Sequence, residues 1–385
     1  MSRVSVEREV LNWAIDRSDR TTDDLTSKFP KMQEWLEGST LPTLRQIEAL
    51  AKATLTPLGF FFLSKPPELN LPIPHYRTLR DENMGGPSPN LLETVQKMQM
   101  RKDWMREYLI EEGQEKISIV NTANQDDSIN EIAQRMREFL NLEDGWANIR
   151  GSWRDAFSHL REKIESTGIM VVVNGVVENN AYRKLDPEEF RGFVLVDDYA
   201  PLVFVNGADS RAAQIFTLCH ELAHIFYGKS AAFDLKELQA SDNLIEQNCN
   251  KVAAEFLIPE KDLKTNWSNF VSQTEPYQEI ARYFKVSVLV AARRALDLGL
   301  IDRDSFFEFY QSYLDDVRRL KTRSTSGGDF YNNQNFRVGR LFASMVNRAT
   351  KEGKLLYTEA YKLTGLHGKT FDNYISKIEL GAKSD

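Results

Sequence analysis

The sequence predicts an α+β protein in which a small β-sheet sits beside a helix bearing two histidines and a glutamate, flanked by mostly helical amino- and carboxy-terminal regions. Three observations predict it. Residues 210–227 repeat apolar side chains at helical spacing and contain His220-Glu221-Leu222-Ala223-His224. The stretch before them holds three runs rich in β-branched and aromatic residues. Elsewhere, segments of helical periodicity alternate with breaks marked by glycine and proline.

Taken in chain order, residues 1–78 read as a small helical module. Val6 to Ser18, Thr22 to Phe29, Lys31 to Glu37 (closed by Gly38) and Leu44 to Thr54 are its expected helices. Lys65-Pro66-Pro67 through Pro74 reads as an extended connection, and Asp81 to Asn90, with two glycines and two prolines, as loop. Residues 79–150 form a helical connecting region with helices expected at Leu91–Gly113 and Ser128–Leu140. The core spans residues 151–300. It begins with a helix at Ser152–Gly168 and a strand at Ile169–Val173. Arg191–Val196 and Pro201–Asn206 then read as a hairpin, followed by the histidine helix, with Asp209 or Ser210 as N-cap and Gly228 as its end. Residues 301–385 form a basic helical region, with a hinge at Ser324–Asp329 and helices expected at Phe336–Thr350 and Tyr357–Leu363.

On a helix, positions i and i+4 share a face, so His220 and His224 can aim a ring nitrogen each at one metal ion. Glu221 lies about 100° round from His220, placed to act on a water without being a ligand itself. A catalytic zinc site takes three protein ligands and keeps one position open. The third ligand is expected from Leu244–Pro259, a second helical stretch that carries Glu246 and Asn250 on one face. Glu246 is assigned as the third ligand, with Asn250 accepting a hydrogen bond from a ligand histidine. Glu255, nine residues on, is the rival carboxylate, expected to cap a backbone or face solvent.

His220-Glu221-Leu222-Ala223-His224 followed by Glu246-x-x-x-Asn250-x-x-Ala253-Ala254-Glu255-Phe256-Leu257-Ile258-Pro259 resembles the ImmA/IrrE family of zinc metallopeptidases. That family pairs H-E-x-x-H with E-x-x-A-N-x-F-A-A-E-L-L-M-P in a gluzincin-like core. Cys249 and Val252 stand where the family usually has Ala and Phe. The resemblance implies one zinc per chain held by His220, His224 and Glu246, with Glu221 as general base of peptide hydrolysis. It also implies a protein substrate such as a helix-turn-helix repressor. Ile280 to Leu296, with its turn at Phe284-Lys285-Val286-Ser287, resembles the helix-turn-helix unit that follows the core in this family, serving either DNA or internal packing. The amino-terminal module resembles an Xre-type helix-turn-helix.

Charge argues against a strong DNA reader at that module. Residues 1–60 carry eight Lys plus Arg against nine Asp plus Glu, whereas phosphate binding needs a clear basic excess. From Arg318 onward the balance is +7, within a chain of net −7. This basic tail is expected to associate with the acidic remainder of its own chain, ahead of nucleic acid or an acidic partner. The absence of a membrane-length apolar run or signal peptide, together with only two cysteines, predicts a cytoplasmic protein with no membrane partner and no disulfide scaffold. Cys219 and Cys249 flank the site and read as small core residues. The alternative reading of the chain is a DNA- or protein-binding regulator whose metal site is latent or structural.

Overall fold

The structure, a computed structural model, describes residues 3–18, 20, 22–69, 87–233, 244–320 and 336–381. The hinge expected at Ser324–Asp329 and residues 70–74 and 81–86 of the expected connections lie outside the described residues.

The amino-terminal helices fall where the apolar spacing puts them: α1 (Arg8–Asp16), α2 (Thr22–Lys28), α3 (Met32–Leu36) and α4 (Leu44–Ala53). Both ends of α1 fall inside the expected Val6–Ser18, and Glu7 at its start offers no side-chain cap. At α4 the start is sharply set. The Thr43 hydroxyl accepts from the Gln46 amide at 3.3 Å, and Gln46 Oε1 accepts from the Thr43 amide at 2.8 Å. Val10, Leu11, Met32, Trp35, Ile47 and Phe61 close an apolar cluster of the module's own.

The next elements are α5 (Pro89–Glu111), α6 (Ile129–Phe139) and α7 (Trp153–Ser166), followed by β1 (Met170–Asn174). A small two-stranded ladder, β2 (Val176–Val177) with β3 (Asn180–Lys184), intervenes before β4 (Gly192–Leu195) and β5 (Leu202–Asn206). The histidine helix is α8 (Arg211–Tyr227), succeeded by the short strand β6 (Ala231–Phe233) and by α9 (Leu244–Leu257). The expected hairpin is present as antiparallel β4–β5, with Phe193 opposite Phe204. β1 joins β5 in parallel, and the four-stranded order is β1-β5-β4-β6.

Alternation along these strands divides the sheet between two apolar layers. Val171, Val173, Val194, Val203 and Val205 face the layer that contains α7, α8 and α9. Met170, Val172, Phe193, Leu195, Leu202 and Phe204 face the other layer, where α5 meets the carboxy-terminal helices. Both faces being covered explains why β1, β4 and β5 read as continuous apolar runs.

Beyond α9 come α10 (Glu260–Val271), α11 (Pro276–Phe284), α12 (Val288–Asp297) and α13 (Arg303–Leu320). Lys285 turns α11 into α12 with φ +56°, and the Ser287 hydroxyl caps α12 by accepting from the Val290 amide at 3.1 Å. The tail supplies α14 (Arg340–Lys351), α15 (Tyr357–Thr364) and α16 (Lys369–Gly381), the last unforeseen from periodicity. Phe342, Val346, Phe371 and Tyr374 lay these helices on the sheet's second layer. Their basic groups meet acids of the body: Arg348 pairs with Glu112 at 2.9 Å, Arg340 with Glu162 at 3.6 Å, and Lys354 also with Glu112. Three of the tail's described basic groups thus meet acids of the body. Among the described residues no helix is long and apolar enough to cross a membrane.

Candidate metal centre

α8 is held at both ends. The Ser210 hydroxyl accepts from the Ala213 amide at 3.3 Å, which settles the choice between Asp209 and Ser210 as N-cap. At the far end Gly228 adopts φ +67°, and a Cβ there would sit 2.4 Å from Oδ1 of Asn121. The helix lies between sheet and α9, buried from Gln214 to Tyr227. Two imidazoles and a carboxylate therefore occupy an interior where unpaired polar groups cost a few kcal/mol each.

Across from them α9 brings Glu246. Nε2 of His220 and Nε2 of His224 are 3.1 Å apart, and the Glu246 carboxylate reaches them at 3.2 Å and 3.3 Å. All three residues are at most 3% exposed. Ligands about 2.0–2.2 Å from a zinc ion are roughly 3.3–3.6 Å from one another at the tetrahedral angle. The observed triangle is that size to within a few tenths of an ångström, so the donor set fits a metal ion. Protonation agrees. Burial holds the His220 imidazole below its usual pKa. Glu246 is pushed up by burial, but hydrogen bonds from both histidines outweigh this and hold it well below the usual carboxylate range. An anionic carboxylate and a neutral imidazole are the ligand forms that bind metal.

Glu221 completes the group. It is 0% exposed, and neither carboxylate oxygen has a hydrogen-bond partner among the described residues. Burial, with the charge of Glu246 adding to it, pushes its carboxyl well above the usual range. Gly192 lies beside it, in close contact with Thr217 and the Phe204 carbonyl. A Cβ at that position would meet Thr217 Cγ2 at 2.5 Å, the Phe204 carbonyl at 2.8 Å and Glu221 Oε1 at 3.4 Å. The motif drew no attention to Gly192; a glycine opening a β-rich run was its only signal.

Asn250 lies one turn after Glu246 and favours the protonated form of His220, but its Oδ1 has no hydrogen-bond partner among the described residues, so the expected acceptor role is not formed there. Glu255 is elsewhere in the fold. It is 5% exposed, so it does not face solvent; it accepts from the Glu260 amide at 3.3 Å, capping α10, and forms a buried ion pair with Arg294 of α12. Sequence reasoning missed that pair, because nothing local links positions 39 residues apart. His159 contacts Arg150 at 3.1 Å, and Tyr199 lies beneath the Lys116 ammonium. Tyr227 is on α8 itself, with burial pushing its phenol up to about 12. Cys219 and Cys249 are free and fully buried, and burial raises both thiols well above their usual pKa. They behave as core residues.

Residues 164–296 match the family model described as the IrrE N-terminal-like domain, Peptidase_M78. The match runs from the end of α7 through α12, taking in the sheet and all four residues of the buried group, and supports a metallopeptidase-like protein related to the ImmA/IrrE family. Residues 338–377, which hold α14, α15 and most of α16, match a domain of unknown function, DUF8813. No curated protein matches the chain.

Proposed function

We propose that the chain is a zinc-dependent endopeptidase whose substrate is a regulatory protein such as a helix-turn-helix repressor. The observation that carries this reading is the convergence of His220, His224 and Glu246 donors within 3.3 Å of one another beside a buried, unpartnered Glu221. His220, His224 and Glu246 would hold the ion; two imidazoles and a carboxylate suit zinc. When bound, zinc supplies Lewis acidity toward water and a peptide carbonyl.

The chain's own residues do the rest. Asn250, one turn after Glu246, is placed to accept a hydrogen bond from a ligand histidine once the ion is held. Glu221 is the group placed to take a proton from water and return it to the leaving amine. Its dry surroundings make the carboxylate a stronger base than one in solvent, while a cation at the adjacent donors would restrain that rise. Gly192 packs α8 closely against the sheet at Thr217, one turn before Glu221. A purely structural ion would leave Glu221 buried to no purpose.

The competing reading, a DNA- or protein-binding regulator, draws on the separately clustered α1–α4 module. Elemental analysis of protein purified without added metal tests the two. About one zinc per chain, lost in Glu246→Ala, supports the peptidase. A wild type that takes up no zinc even when supplied would refute it in favour of the regulator.

A further inference from the structure

A second concavity, lined mostly by apolar surface with two arginines on it, lies at the amino-terminal end of α8, apart from the metal centre. It is a cleft of about 370 Å³, large enough for a small ligand. Trp153, Arg211, Ala212, Arg282, Ser287 and Tyr313 line it. Two of these are guanidinium groups and two are aromatic, while no lining residue among those described is acidic.

Among the described lining residues the charged groups are both cationic, while the Tyr313 phenol, its pKa raised by burial, lies near enough to Asp209 for that charge to raise it further. Arg211 spends its guanidinium on the neutral Gln214 side chain and on the faces of Phe157 and Phe336. Burial, then the charges of Arg154 and Arg161, lower its pKa, so it sits among like charges. Lys285, 7% exposed, bonds the Arg282 carbonyl and lies over the Trp153 ring. Three acids near the cleft are engaged: Asp155 by the Ser152 hydroxyl, Asp209 by Arg191 and Glu279 by Arg282. The last pair is exposed and worth little, so Arg282 is easily released to a ligand. Trp153, Arg211 and Val288, first residues of α7, α8 and α12, also meet on this cleft, so three helix amino-termini add positive potential.

We propose that this cleft binds a small phosphate-bearing molecule, its anion held by Arg211 and Arg282 and any ring it carries lying against Trp153 or Tyr313. Guanidinium forks match phosphate geometry, and both aromatic faces accept planar groups. The cleft touches α8 ten residues before Glu221, about 15 Å along the helix axis, so bound ligand braces the element that carries the metal donors without entering their site.

Isothermal titration calorimetry of the full chain with adenosine monophosphate and with inorganic pyrophosphate tests this without any peptidase readout. Saturable binding of either is expected, at least tenfold weaker in Arg211→Gln. The second variant, Ala212→Glu, puts a carboxylate into the cleft in the first turn of α8, where acidic residues favour the helix, so it should melt like wild type while binding is abolished. No saturable binding of either compound at millimolar concentration would overturn the proposal. So would an Ala212→Glu protein that binds as wild type does.

Discussion

Glu255 and Arg294 form a buried ion pair that joins α9, the helix carrying Glu246, to α12, the second helix of the helix-turn-helix-like unit. They are 5% and 7% exposed, and Arg294 also donates to the Ile258 carbonyl at 3.1 Å. That guanidinium is committed inside the protein, so α12 packs against the core through the side chain that would otherwise be its basic contact.

Removing one member of such a pair leaves the other charged and buried. Glu255→Ala should therefore cost about 3–5 kcal/mol of stability. Urea denaturation of wild type and variant measures it. A loss below about 1 kcal/mol would show that the pair is solvated in solution.

Glu221→Gln keeps the shape of the side chain and all three donors but cannot carry a proton. It should retain zinc at wild-type stoichiometry while cleavage falls by about 10²–10⁴-fold. His220→Ala should lose both zinc and cleavage. Normal turnover in Glu221→Gln would remove it from the general-base role.

Gly192→Ala places a methyl group 2.5 Å from Thr217 Cγ2 and 2.8 Å from a backbone carbonyl, neither of which has a free direction to yield. A cost of about 1–3 kcal/mol is expected from overpacking. Glu221 Oε1, 3.4 Å away, is at ordinary contact distance and need not move, so zinc content should be kept. Calorimetric melting and metal analysis of the same sample check both expectations. An unchanged melting point would argue against this packing.

Glu165 gives the chain a pH signature away from the metal centre. Burial raises its carboxyl above the usual 4.5, opposed in part by Arg161 and the Leu341 amide. The folded state thus keeps this proton to higher pH than the unfolded state does. Stability relative to Glu165→Gln should fall as pH rises through 4.5, level off above the folded pKa, and show no difference in slope below both values. Denaturation curves for the two proteins across that range provide the check, and parallel pH profiles would contradict it.

Much of the local structure was readable from spacing alone. Apolar residues 3 and 4 apart placed the histidine helix, α9, the α11–α12 turn and most other helices to within a few residues. Serine and glycine chemistry marked the ends of α8 and α12. The motif spacing named His220, Glu221 and His224, because i and i+4 on a helix must share a face. Glu246 followed from the same periodicity on a second helix, together with the family resemblance.

What the sequence did not contain is which distant surfaces meet. The apolar runs of β1, β4 and β5 announced burial but not its agents, since a strand covered on both faces has no alternation to read. Tertiary structure decided that α5 and the basic tail cover one face while α7, α8 and α9 cover the other. It also decided that Glu255 would pair with Arg294, that Gly192 would lie beneath Glu221, and that three helix ends would open on one cleft. Local propensity acts over a few residues; these contacts join residues tens of positions apart and exist only when the packed layers bring them together.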